Sequence, residues 1–316
     1  MAPVSLAEHS RGTPLILCAG IAAIDYIFRI EAMPKSDTKN RASAFTTSSG
    51  GNMANAAVAI SRLGGRARLC SPLGGPAGID IAGDAILRKL EKENVDHSAV
   101  VRIAGVHSST SAILIEPGGE RAIINYRDDA LANARCDNPA KLVADADAVL
   151  IDNRFPEFSL AVAQAARGLG KIVVMDADDP TRDTEALLNA CSHIVFSSHG
   201  LRNTAQMQDF PAGLDAIAKR TGALLAVTDG ANGLWWHDGN AVRHIAARPI
   251  RAVDTLGAGD VFHGACVLAL AQGRDFEQSL HFSAAAAAVK CTHFGGIGGA
   301  PSRREVEDYV ASGARG

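Results

Sequence analysis

The sequence predicts an α/β fold, with a mostly parallel central sheet covered by helices on both faces. Three observations carry this. Short continuous apolar runs, such as residues 148–152 and 193–197, have the length and character of strands buried on both sides. Helix-length segments, such as 159–169 and 277–290, fall between such runs, so strands and helices alternate. A glycine-rich stretch, Gly257-Ala258-Gly259, opens the run 261–271, which is apolar almost all round and so belongs inside the molecule.

Composition narrows the partners. A length of 316 residues is ample for a sizeable core. With 47% apolar and 21% charged residues, the chain is ordinary and globular. A net charge of −3 provides no basic stripe, which argues against nucleic acid or an anionic membrane as partner. Cys18, Cys70, Cys136, Cys191, Cys266 and Cys291 show no metal spacing and read as free thiols in a reduced, cytoplasmic setting. The apolar run 15–28 is interrupted by Asp25, is followed by no small-residue cleavage pattern, and is too short to span a bilayer. Residues 1–13 lack periodicity and read as a flexible tail.

In chain order, residues 15–20 form a buried strand ended by glycine. Asp25 follows just past its carboxyl end, the edge where open α/β sheets bind ligands. There a carboxylate can accept from two sugar hydroxyls, or cap a turn. Gly50-Gly51 opens a helix over 52–63. Asn52 and Asn55 share one face of its first turn, and their amides suit hydroxyl recognition, although Asn52 can equally be an N-cap. Residues 84–95 read as an amphipathic helix. Residues 111–115 and 121–126 are β-rich and flank the turn Pro117-Gly118-Gly119-Glu120, a hairpin that fits poorly into a run of βα units. Strands follow at 148–152, 171–176, 193–197 and 223–228. Thr228-Asp229-Gly230-x-x-Gly233 lies past the last of these, and a second hairpin spans 234–245. Ser302-x-x-Glu305 is a capping box that starts the final helix.

The stretch Asp254-Thr255-Leu256-Gly257-Ala258-Gly259-Asp260 carries the chemistry. Its glycines sit where the first N–H groups of a helix have no intrahelical partner, which makes a site for an anion. Asp260 would repel a bound phosphate, but it makes sense as the base for a nucleophile that attacks one. A helix-stabilising acid, contributing about 0.3–1 kcal/mol, explains the same residues. By itself the motif supports both readings.

The motif resembles the second signature of the PfkB/ribokinase family of carbohydrate kinases. Gly50-Gly51-Asn52-Met53-Ala54-Asn55-Ala56-Ala57-Val58-Ala59, with Leu63-Gly64, resembles the first. The resemblance runs over nearly the whole chain and implies a ribokinase-like three-layer αβα domain over 14–312. A small β-sheet lid, formed by about 26–49 and 110–127, would close over the sugar and pair two protomers into a homodimer. It implies ATP and Mg²⁺, with Asp260 as catalytic base and Leu256, Gly257, Ala258 and Gly259 as an anion hole. Asp25, Gly51, Asn52 and Asn55 would hold the sugar. Ser197, Thr228, Gly230 and Gly233, with Gly257 and Gly259, would face the nucleotide. Asp254 and the glycine-rich turn 295–299 would bind a monovalent cation such as K⁺. Ser197-Ser198-His199-Gly200 departs from the Asn and Glu that many members use to organise Mg²⁺; Asp176 and Asp178 lie nearby.

Lys39, Asn125 and Arg154, with the stretches 123–126 and 260–264, look like the sulfofructose-kinase branch, where such residues meet a terminal sulfonate. An arginine fork with an ammonium suits a tetrahedral anion. Asn52 and Asn55 depart from that branch and suit ordinary ketohexose kinases. The expected activity is therefore phosphorylation of a sugar hydroxyl, on a ketohexose with or without an anionic C6 group. Fructokinase, 2-keto-3-deoxygluconate kinase and nucleoside kinase are the alternatives, with a non-catalytic sugar-binding protein behind them. A Rossmann dehydrogenase and a P-loop kinase are disfavoured, because neither glycine fingerprint is present.

Overall fold

The apolar runs become one sheet because both of their faces are covered. In the computed structural model, which describes residues 12–118, 120–178 and 184–313, β1 (Leu15–Ala19) is buried throughout. Its side chains alternate between two cores: Ile16 and Cys18 face one, Leu17 and Ala19 the other. The tail expected over 1–13 lies mostly outside the described residues. The chain then runs through β2 (Ala23–Arg29), β3 (Ala44–Gly50), α1 (Asn52–Arg62), β4 (Arg66–Cys70), β5 (Pro72–Gly75), α2 (Ile81–Lys92), β6 (Val101–Ala104), β7 (Ser109–Ile115) and β8 (Arg121–Tyr126). It continues with α3 (Pro139–Val143), β9 (Ala148–Asp152), α4 (Pro156–Gly168), β10 (Ile172–Ala177), α5 (Thr184–Asn189), β11 (His193–Ser197), α6 (Ser198–Ala205), α7 (Phe210–Ala218) and β12 (Leu224–Thr228). The last elements are β13 (Leu234–His237), β14 (Val242–Ile245), α8 (Ala258–Ala271), α9 (Phe276–Cys291) and α10 (Arg303–Gly313).

The main sheet has eight strands in the order β14-β13-β12-β11-β10-β9-β1-β4, parallel except for the β13–β14 hairpin at one edge. Helices α1, α8 and α9 cover one face and α4 and α7 the other. Helix α8 is buried from Val261 to Leu270. It passes so close to α1 that a Cβ on Gly264 would stand 2.7 Å from the Ala56 carbonyl oxygen. A second sheet, β3-β2-β7-β8, stands apart, and β5 and β6 form a small parallel pair that sequence reasoning did not mark.

Three boundaries differ from expectation for local reasons. Asp25 lies within β2, because the chain turns through residues 20–22 straight into the small sheet instead of lingering at the edge of β1. Helix α2 begins three residues early, because the Asp80 carboxylate caps it by accepting from the Gly83 amide. Helix α8 also begins early, with Gly257 as N-cap at φ 80°, so Asp260 sits in its first turn. The Ser302–Glu305 capping box forms as expected: Ser302 N–H donates to Glu305 Oε2 at 2.7 Å.

Candidate active site

The carboxyl ends of the parallel strands collect polar side chains along one edge. Asp152 and Asp176 are register partners on β9 and β10, as are Ser197 and Thr228 on β11 and β12. Asp152 is fully buried and accepts from the Ile21 amide at 2.7 Å and the Arg154 amide at 3.0 Å. Burial pushes its carboxyl up to about 6. A Cβ on Gly20 would overlap that carboxylate at 2.3 Å, so only glycine lets the chain pass.

Helix α8 points its N-terminus at this edge. Asp254 Oδ1 accepts from the Leu256 N–H at 2.8 Å, and the Thr255 carbonyl accepts from Ala258 N–H at 3.2 Å. These two amides, expected in the anion hole, are here engaged in shaping the loop. The amides of Gly257, Gly259 and Asp260 make no hydrogen bond among the described residues. Three donors at the positive end of a buried helix remain for an anion.

The two asparagines of α1 reach across to acids. Asn55 Nδ2 donates to Asp260 Oδ2 at 2.7 Å, and Asn52 Nδ2 to Asp176 Oδ2 at 2.7 Å. One N–H of each amide expected for the sugar is thus committed to a carboxylate. Asn55 Oδ1, however, is buried with no partner among the described residues, an acceptor that calls for a hydroxyl. Burial, and then the neighbouring Asp176 charge, raise the Asp260 carboxyl well above the ordinary range, while Asn55 and His263 oppose the shift. Asp176 is raised as well, chiefly by burial. His263, one turn on from Asp260, bonds the Gly259 carbonyl through Nδ1 at 2.7 Å and lies 3.5 Å from Asp176 through Nε2.

The small sheet faces the loop. Across it, Ser48, Asp25, Ser111 and Asn125 are successive cross-strand partners, so they form one polar row on one face. Asp25 is buried and is pushed up to about 6 by that burial, with the Ser111 hydroxyl pulling the other way. On the same face Ile27 and Ile113 pack against Leu256, and Arg121 donates to Thr255 Oγ1 at 2.6 Å. The sheet is therefore tied to the glycine loop at both its apolar and its polar ends.

The remaining expected residues divide. Gly51 caps α1 at φ 83°, and a Cβ there would meet the Ala22 backbone at 2.8 Å. Arg154 pairs with Asp178. Its carbonyl accepts from Arg127, two residues past Asn125, so Arg154 and Asn125 come to one end of the site. Lys39 is exposed in the segment between β2 and β3 and makes no hydrogen bond or ion pair among the described residues. Ser197 Oγ caps α6 by accepting from the Gly200 amide at 2.9 Å. Gly230 stands in open space, whereas a Cβ on Gly233 would strike the Ile245 carbonyl at 2.1 Å, so that glycine has a packing reason of its own. Among the described residues no cluster of three His, Cys, Asp or Glu side chains forms a metal cage.

The pfkB family carbohydrate kinase model matches residues 13–303. The chain belongs to that family. As a PfkB kinase it is an ATP-dependent phosphotransferase acting on a sugar or nucleoside hydroxyl, in a ribokinase-like fold. A solved Agrobacterium tumefaciens structure, provisionally described as a ribokinase, is 36% identical with a TM-score of 0.91 over 96% of this chain and 100% of that one. Bacillus subtilis ribokinase is 27% identical over 94% of this chain and 99% of its own length. Mouse ketohexokinase is 27% identical over 87% and 95%.

Sequence reasoning singled out none of Asp152, Ser111, Arg121 and Lys290, which the structure brings beside these residues. A signal existed for the first: the apolar runs of β9 and β10 each carry an aspartate at the end. None existed for Lys290, which reads as one more lysine at the end of a helix.

Proposed function

We propose that this PfkB kinase transfers the γ-phosphoryl group of ATP to the C1 hydroxymethyl oxygen of a ketohexose. The observation that supports it best is the Asn55–Asp260 pair beside three uncommitted amides. Asp260 takes the hydroxyl proton as the oxygen attacks phosphorus in line and ADP leaves. A carboxyl raised above its ordinary range is better matched to proton transfer near neutral pH. The Gly257, Gly259 and Asp260 amides hold the charge on the transferring oxygens. Asp25 and Asn55 Oδ1 accept from sugar hydroxyls, and Asn125 extends the same polar row. The small sheet, tied down through Arg121 and Leu256, keeps out water that would otherwise take the phosphoryl group.

Magnesium bound to ATP phosphates and water needs only one or two protein carboxylates, so the absence of a cage among the described residues is compatible with it. Asp176, at the strand edge, is the carboxylate placed to contribute. The ion would neutralise phosphate charge.

The far end of the sugar meets Asn125 and Arg154. Asp178 already pairs with the Arg154 guanidinium and offsets its charge. An anionic C6 group would have to share the guanidinium with that carboxylate and would be repelled by it. A neutral ketohexose meets no such repulsion and is the reading preferred here. The test is ADP release across fructose and other ketoses, 6-sulfo and 6-phospho sugars, 2-keto-3-deoxy acids and nucleosides. The highest kcat/KM should fall on a neutral ketohexose, and a nucleoside or keto acid in first place overturns this. Arg154→Ala should change KM for fructose and for 6-deoxy-6-sulfofructose alike. A loss confined to the sulfo sugar would restore the anionic reading.

The outer face of the small sheet exposes Tyr26, Phe45, Ile124 and Tyr126, an apolar patch that suits a second copy of the chain. Light scattering should give a dimer for the wild type and a monomer for Ile124→Asp. A monomeric wild type counts against pairing through this face.

A further inference from the structure

Lys290 lies in the last turn of α9 with its side chain fully buried. Its Nζ donates to the Asp254 carbonyl oxygen at 2.9 Å and lies 3.3 Å from Asp254 Oδ2 and 3.4 Å from the His293 carbonyl oxygen. One positive charge is thus ringed by three oxygens. Oδ2 of the same carboxylate also gathers the Gly295 and Gly296 amides at 3.0 and 2.9 Å, and Oδ1 gathers that of Leu256. Burial works against the Asp254 anion, but those amides and the Lys290 charge outweigh it and hold the carboxyl below its ordinary range.

The position is the one assigned from sequence to a monovalent cation. The residues present do not fit one. The oxygens that would bind it already bind an ammonium, and a second unit charge among them would be repelled in a poorly solvated pocket. An ammonium is itself a compact point charge with three donors, so it takes up three oxygens that an alkali ion there would draw on.

We infer that Lys290 is a built-in cation that sets the shape of the anion loop, and that this chain uses no alkali ion there. Lys290 touches no reacting atom; it is a positioning residue. It clamps residue 254, where the loop begins, to the turn at 295–296, and the placement of the three uncommitted amides follows from that. This deepens the proposed kinase reading and rests on it, since the loop matters only if it holds the phosphoryl group.

The test compares chlorides of K⁺, Na⁺ and tetramethylammonium at equal ionic strength with Mg²⁺ present. Wild-type kcat and melting temperature should be the same in all three. Lys290→Met keeps the buried stem and removes the charge. Its kcat in tetramethylammonium should fall by about tenfold, the scale of a typical coupling between sites. K⁺ should restore both its turnover and its melting temperature, with Na⁺ less effective. A residue that merely packs would show no cation selectivity. Lys290→Gln serves if the methionine variant does not fold, and the wild-type series stands without either. Several-fold K⁺ activation of the wild type, or a variant equally impaired in every chloride, overturns the inference. The melting series needs no substrate, so its outcome is read separately from the search for the phosphorylated sugar.

Discussion

Asp260→Asn should keep both sugar and ATP binding while kcat falls by about 10²–10⁴, the usual cost of losing a general base. The substitution is close to isosteric, so the Asn55 contact and the neighbouring amides should persist; only the proton acceptor is lost. Pre-steady-state binding of ATP and calorimetric binding of the sugar would check the first half, and single-turnover kinetics the second. A variant with near wild-type kcat removes Asp260 from the mechanism. The pH profile makes the same point. The base works when ionised and its carboxyl is raised, so wild-type kcat should fall with acid at a pH above the ordinary carboxylate range.

The same shift has a stability consequence of definite sign. Between the ordinary carboxyl value and the raised one, the native state binds a proton that the unfolded chain does not. Stability therefore falls as pH rises through that window. Asp260→Asn removes this dependence. Its melting temperature should exceed that of the wild type at neutral pH, with the gap closing toward acid. The acid is retained at a cost to the fold, as expected of a residue kept for chemistry rather than packing.

The legible parts of the sequence were those fixed by local pattern. The apolar runs marked the parallel sheet because period and burial are properties of a few consecutive residues. The glycines at 257 and 259 marked the helix start because a missing side chain eases the approach of an anion to unpaired amides. What failed was pairing at long range. Asn55 and Asp260 stand 205 positions apart, and nothing local says that the amide serves the acid before it serves a sugar. Asn52 and Asp176, 124 apart, repeat the lesson. Lys290 was invisible for the same reason, since its meaning depends on a carbonyl and a carboxylate 36 residues earlier. Asp25 was expected just past the carboxyl end of β1, yet it lies within a strand of the small sheet, which the sequence resolved only where a turn of one proline and two glycines made a hairpin plain.

Gly50→Ala should raise KM for the sugar by about 10- to 100-fold, on the scale of one or two hydrogen bonds to a charged group at about 1.5–3 kcal/mol each. Gly50 ends β3 beside Asp25, and a Cβ there would stand 2.1 Å from Asp25 Oδ1 and 2.3 Å from its Cγ. Such contacts are not tolerated. The short Asp25 side chain must swing away from the row it shares with Ser111 and Asn125. Asp25 is buried, and its displacement leaves the hydroxyls of a bound sugar without their acceptor. The glycine loop and Asp260 lie on other elements, so KM for ATP should hold and kcat at saturating sugar should change far less than KM. The two variants then separate roles within one site: Asp260→Asn loses turnover with the sugar held, and Gly50→Ala loses hold of the sugar with turnover kept. A Gly50→Ala enzyme that folds and binds the sugar as tightly as the wild type would show that Asp25 does not carry the sugar hydroxyls.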